Sequence, residues 1–122
     1  TPTINVGTPT NASGSYIKIG KHVTVTVYIS DVSDISSSTR VEIGLPFTTD
    51  TNGSDAFVGT IMTRRLNTNS EAYNLITYSP DGVDYFRFFQ MVDNSTYFGV
   101  DWDNFTDTDI GLRATITYFT SE

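Results

Sequence analysis

Carboxylates, an amide and two aromatic rings crowd one short segment, Asp101-Trp102-Asp103-Asn104-Phe105-Thr106-Asp107-Thr108-Asp109. Its side-chain oxygens are hard donors of the kind that Ca²⁺ takes. Its rings are faces on which a sugar or a protein partner can dock. The D-x-D-x-D run of an EF-hand loop is not met, so the spacing does not single out a metal site here. No metal and no cofactor is assigned, and Asp101, Trp102, Asp103, Asn104 and Phe105 are the expected ligand-binding residues. A competing reading stays open: Asp and Asn are ordinary turn formers, and Trp102 can equally plug the end of a core.

Catalysis has less to work with. His22 is the single histidine and there is no cysteine, so thiolate chemistry, disulfides and a His-rich metal site are excluded. No serine sits in a G-x-S-x-G elbow, and no glycine-rich stretch opens a helix where a phosphate would sit. Paired carboxylates remain, since the chain has 14 Asp and Glu. A glycosidase must set two of them across a cleft, and a domain this small rarely forms such a cleft alone. No catalytic residue is assigned and the chain is read as a non-enzyme.

Charge narrows the partners. A net charge of −7 opposes nucleic acid and anionic lipid, both of which need a positive surface. Arg64-Arg65 is the one basic cluster, too small for a nucleic-acid footprint. No run approaches the length of a membrane span. Asn-x-Ser/Thr sequons begin at Asn11, Asn52, Asn94 and Asn104, weak evidence for glycosylation in a Ser- and Thr-rich chain.

Strands must position whatever site exists. From Val23 to Ser30 the alternation is strict, with Val23, Val25, Val27 and Ile29 on one face and Thr24, Thr26, Tyr28 and Ser30 on the other. Period two with β-branched residues fits a sheet with one buried face and cannot be helical. Tyr16 to Ile19 precedes it across a Gly20-Lys21 turn. Further strands are expected over 40–47, 57–64, 73–78, 85–91 and 96–100, with Pro46 ending the first of these. Residues 31–39 read as a polar loop, and Asn52-Gly53, Ser79-Pro80-Asp81-Gly82 and Asp93-Asn94-Ser95 as turns. The segment 85–91 carries large apolar groups on both faces. The core should cover one, and either a neighbouring subunit or the rest of the chain the other. The last strand, 110–120, alternates throughout and should be central. About eight strands with frequent turns predict an all-β antiparallel sandwich or jelly roll. Residues 1–14, rich in Thr, Pro, Asn, Gly and Ser, read as a connector to an upstream shaft or domain, and 15–122 as the β-sandwich domain.

The order Tyr16-x-Lys18-Ile19-Gly20, Val23-x-Val25, Ile43-Gly44-Leu45-Pro46-Phe47 and Leu112-Arg113-Ala114-Thr115-Ile116-Thr117-Tyr118 resembles the C-terminal head domains of bacteriophage tail-fibre and virion-fibre proteins. It covers roughly residues 15–120. The resemblance implies a homotrimeric knob on a fibre shaft that attaches the virion to a host cell-surface glycan or protein. No catalytic or metal motif comes with it. It places the contact loops at the end away from residues 1–14. Two other readings stand beside it: a structural decoration or trimerisation domain without a ligand, and a carbohydrate-binding module of a secreted bacterial protein.

Overall fold

The structure, a computed structural model, describes residues 1–51, 57–68, 72–93, 95–105 and 109–122, leaving aside the side chains of Phe57 and Tyr73. The Asn52-Gly53 turn, Asn94 and Asp107 lie outside the described residues. The strands are β1 (Thr8–Ile19), β2 (His22–Ser33), β3 (Ile43–Gly44), β4 (Phe57–Arg64), β5 (Ala72–Ser79), β6 (Tyr85–Val92), β7 (Phe98–Gly99) and β8 (Gly111–Phe119). One 3₁₀ turn, Trp102–Asn104, interrupts them. All pairings are antiparallel, in the order β1-β2-β8-β4-β5-β6-β3, with β7 beside β3 on the free edge of β6. This sheet curls into a half-barrel, consistent with the expected sandwich.

The alternation read from β2 and β8 is what sets the curl's inside. Val23, Val25, Val27 and Ile29 of β2 and Leu112, Ala114, Ile116 and Tyr118 of β8 are all buried. Their register pairs Val23 with Tyr118 and Ile29 with Leu112, so the two apolar rows meet side by side. Tail strand β8 lies between β2 and β4, as a central strand should. Phe86 and Phe88 enter the same core from β6.

Three differences from the sequence reading have physical causes. Residues 8–14 are strand, not connector: they pair with 27–33 of β2 as the first half of β1. An edge strand exposed on both faces needs no apolar alternation, so its pattern is silent. Segment 40–47 shortens to Ile43–Gly44 because its backbone is shared among several partners. Val41 N–H donates to Val100 O (3.0 Å), Gly44 N–H to Thr3 O (2.9 Å) and Leu45 N–H to Asp84 O (2.7 Å). Finally, β2 runs on to Ser33 past Asp31, whose φ of 54° turns Val32 into the core.

The second face of β6 is partly covered from within the chain. Phe89 sits edge-to-face between Tyr78 (5.2 Å) and Tyr97 (5.1 Å). Arg87 is fixed by Glu42 at 2.8 Å.

A hydroxyl clasps the open seam. Tyr118, fully buried near the end of β8, donates to Phe47 O (3.0 Å) and accepts from Phe47 N–H (3.3 Å). Tyr16 then stacks edge-on against the Phe47 ring at 5.3 Å, tying β1 to the segment after β3. Burial pushes the Tyr118 hydroxyl up from 10.0 to about 12, against a smaller opposing pull from the Phe47 hydrogen bond. The folded state thus holds a proton that the unfolded chain releases first. Stability present up to about pH 10 is lost as the pH rises toward 12. Replacing Tyr118 with Phe should flatten that decline in alkaline urea titrations. At neutral pH the same variant should cost about 1–3 kcal/mol, because the Phe47 amide loses its partner.

Candidate functional site

The 101–105 segment divides into a buried half and a surface half. Trp102 is fully buried and Phe105 nearly so, with ring centroids 6.0 Å apart. Both belong to the core. An indole cannot be buried cheaply unless its N–H finds an acceptor. Asn5 Oδ1 supplies it at 2.8 Å. The Asn5 amide also donates to Arg40 O (2.9 Å), and its oxygen accepts from Glu42 N–H (3.0 Å). The expected apolar docking faces of Trp102 and Phe105 are therefore turned inward. The segment also lies against residues near the N-terminus, not at the end away from them. The cause is the same: Asn5 is the acceptor that the Trp102 indole needs.

The polar members stay at the surface. Asp101 caps the 3₁₀ turn in extended conformation, and its N–H donates to Asn104 Oδ1 at 2.8 Å. The Asp101 carboxylate forms an ion pair with Arg40. Asp103 is exposed, and its N–H donates to Ser37 O at 2.9 Å. Among the described residues no group of three or more His, Cys, Asp or Glu could hold a metal ion.

Asp101 and Asn104 open onto a polar cleft of about 370 Å³ whose other walls are Arg40, Asn67, Thr68, Gln90, Phe98 and Gly99. Topology assembles it from four separate stretches. The Arg40–Asp101 and Leu66–Phe105 bridges bring two loops to the turn, and Asn67 N–H donates to Asn104 O at 2.8 Å. β7 carries Phe98 in beside Gln90, its pairing partner on β6. Gly99 lets the Arg40 side chain lie on the β7 backbone, since a Cβ there would meet Nε at 2.3 Å.

The chemistry of these walls is that of hydrogen-bond exchange beside an aromatic surface. The Asn67 amide and the Thr68 hydroxyl both donate and accept, Asp101 accepts while Arg40 donates, the Asn104 oxygen is engaged by Asp101 N–H, and Gln90 is buried. Phe98 is 42% exposed and gives the cleft its apolar wall. Such a set suits vicinal hydroxyls with a C–H face between them. Sequence reasoning found Asp101 and Asn104 but missed Arg40, Asn67, Thr68, Gln90 and Phe98. No spacing announces them, because only the β6–β7 pairing and the two bridges bring them together.

Asn5→Ala should leave the Trp102 N–H buried without an acceptor and cost about 1–3 kcal/mol. Urea unfolding followed by the fluorescence of the single tryptophan measures this directly; an unchanged midpoint would count against the Asn5 latch. No protein-family model, curated protein or solved structure matches this chain.

Proposed function

We propose that this domain is a non-enzymatic attachment module, the homotrimeric head of a phage fibre, and that it binds a host cell-surface glycan in the cleft beside Asp101. The observation that carries the reading is the cleft's lining, a ring of amide, hydroxyl, carboxylate and guanidinium groups around the exposed Phe98 ring. Sugars are recognised by bidentate polar contacts to neighbouring hydroxyls and by packing of a C–H face on an aromatic ring. The Arg40–Asp101 pair is held by the same backbone bridge that seats the turn, so its groups are ordered before a ligand arrives. The fibre setting rests on the resemblance of the hairpin and Leu45-Pro46-Phe47 elements.

The test is adsorption of the labelled domain to host cells and to a glycan array. Asn67→Ala with Phe98→Ala should reduce binding at least tenfold while leaving the fold intact, since both side chains are exposed. Binding unchanged in that double variant would remove the cleft as the reader.

A second reading, a structural trimerisation or decoration domain, has its own supporting observation. Ile17 (67% exposed), Ile19 (74%), Val58 (56%) and Phe119 (52%) lie toward one end of the outer sheet face. Light scattering should give about three times 13.5 kDa for the assembled domain. Ile19→Glu with Phe119→Glu should then return a folded monomer. A monomer in the unsubstituted chain would set aside the trimer in both readings.

A further inference from the structure

The outer face of the sheet is graded along its strands, and the register gives the rows. Nearest the β1–β2 turn, Ile19, His22 and Phe119 stand side by side. Next come Ile17, Thr24 and Thr117, whose two threonine hydroxyls are 3.1 Å apart. Then Ser15, Thr26, Thr115 and Thr60 form a row of four hydroxyl side chains across β1, β2, β8 and β4. The Ser15 and Thr26 oxygens are 2.9 Å apart. Beyond them lies the row Ser13, Tyr28, Arg113 and Met62. Successive rows on one face are about 6.7 Å apart and neighbouring strands about 4.8 Å.

The last two rows enclose a trough of about 610 Å³, within the size range of ligand sites. Its electrostatics run opposite to those of the whole chain. The protein carries −7, yet β1, β4 and β8 contain no Asp or Glu, and β2 contains only Asp31 near its end. Asp31 and Asp109 both face Arg64, at 3.8 and 2.9 Å. Arg113 stands within the trough and makes no ion pair among the described residues. Its guanidinium lies over the Tyr28 ring at 4.4 Å. A guanidinium resting on an aromatic ring keeps its N–H donors available, and a planar fork of such donors can receive a carboxylate in two parallel hydrogen bonds.

We propose that this trough binds an acidic saccharide, a sugar chain carrying carboxylate groups, with Arg113 as the anion receptor. The row Ser15, Thr26, Thr115 and Thr60 takes the ring hydroxyls. Hydroxyl side chains donate and accept with equal ease, which matches a polyol and gives a phosphate or sulfate no advantage at those positions. The scarcity of carboxylates on the surrounding strands, where Asp31 stands alone and faces Arg64, lowers the local repulsion that an acidic polymer would otherwise meet on so negative a protein. The site is separate from the Asp101 cleft and does not depend on it.

The experiment is titration of the isotope-labelled domain, followed by amide chemical shifts, with galacturonate, hyaluronan and sialyllactose oligosaccharides. Each is compared with its carboxyl methyl ester, which keeps the hydroxyls and removes the charge. At least one acid form should bind, with its shifts centred on Thr26, Arg113 and Thr115, and its ester should bind about tenfold more weakly or worse. Affinity should fall with salt. Arg113→Gln should lose about tenfold or more, while an unchanged amide spectrum elsewhere shows that it folds. Phe98→Ala should bind as the parent does. The proposal is overturned if no acid form binds at millimolar concentration, if esters bind equally, if Arg113→Gln has no effect, or if the shifts map to the Asp101 cleft.

Discussion

A single sheet that curls only part-way round leaves its concave face to be covered by something other than a second sheet. Part of that cover is the Trp102 side chain, carried on the connection between β7 and β8 and buried completely in the core. An aromatic of this size removes about 150–250 Å² from water, and its loss from a core costs about 3–5 kcal/mol. That gain depends on one polar contact, the Asn5 oxygen at 2.8 Å from the indole nitrogen. Asn5 in turn holds the 40–42 segment through its side chain and through Asn5 N–H to Glu42 O at 3.2 Å. The N-terminal segment, the segment before β3 and the 3₁₀ turn are therefore one cooperative unit, and residues 97 positions apart depend on each other.

The same plug explains why a cleft exists beside it. Sinking Trp102 pulls the flanking backbone against residues 37–41: Trp102 N–H donates to Thr39 O (3.1 Å) and Asp103 N–H to Ser37 O (2.9 Å). Asp101 and Asn104, at the two ends of the turn, must then face outward, because the interior between them is occupied. Their side chains are left to bond each other's backbone and Arg40. A group of polar side chains ordered by a buried anchor is a better recognition surface than the same groups on a free loop, since less freedom is lost on binding. The burial of Trp102, which removes it as a contact residue, is thus what organises the residues that remain.

The legible parts of this fold are those where one face is buried and the other wet. β2 and β8 alternate in sequence and alternate in burial, and the Gly20 turn between β1 and β2 shows the positive φ of 58° that glycine permits. The silent parts are those whose stability comes from backbone pairing alone. Residues 8–14 present no apolar stripe, because an edge strand has no second face to hide. The 40–47 segment alternates like a long strand, yet its hydrogen bonds go to four different neighbours, which no local pattern encodes. In the candidate site the residue types of Asp101 and Asn104 were a usable signal. Trp102 and Phe105 gave an ambiguous one, since an aromatic among aspartates suits a plug and a platform equally. Arg40, Asn67 and Gln90 had no signal at all, because long-range pairing alone makes them neighbours.

One further constraint acts on the face that the core does not use. An outward strand position in a β-sheet is free of packing demands, so its composition reflects what the surface must meet. Solubility alone would be served by placing the acidic side chains there, as this chain has 14 of them. Among the described residues Asp31 is the one acidic side chain within a strand, while the outward rows hold hydroxyls, aromatics, methyl-bearing side chains and Arg113. Threonine satisfies strand preference and keeps a hydroxyl at the surface, which accounts for the middle rows without reference to function. It does not account for the apolar row at one end or for a guanidinium stacked on tyrosine at the other. The apolar row carries an aggregation cost on an exposed sheet, which contact relieves, and the guanidinium on tyrosine is a charge held ready for a partner. Their separation along the strands means that one face can meet two different surfaces, an apolar one near the β1–β2 turn and a charged, hydrated one toward Arg113.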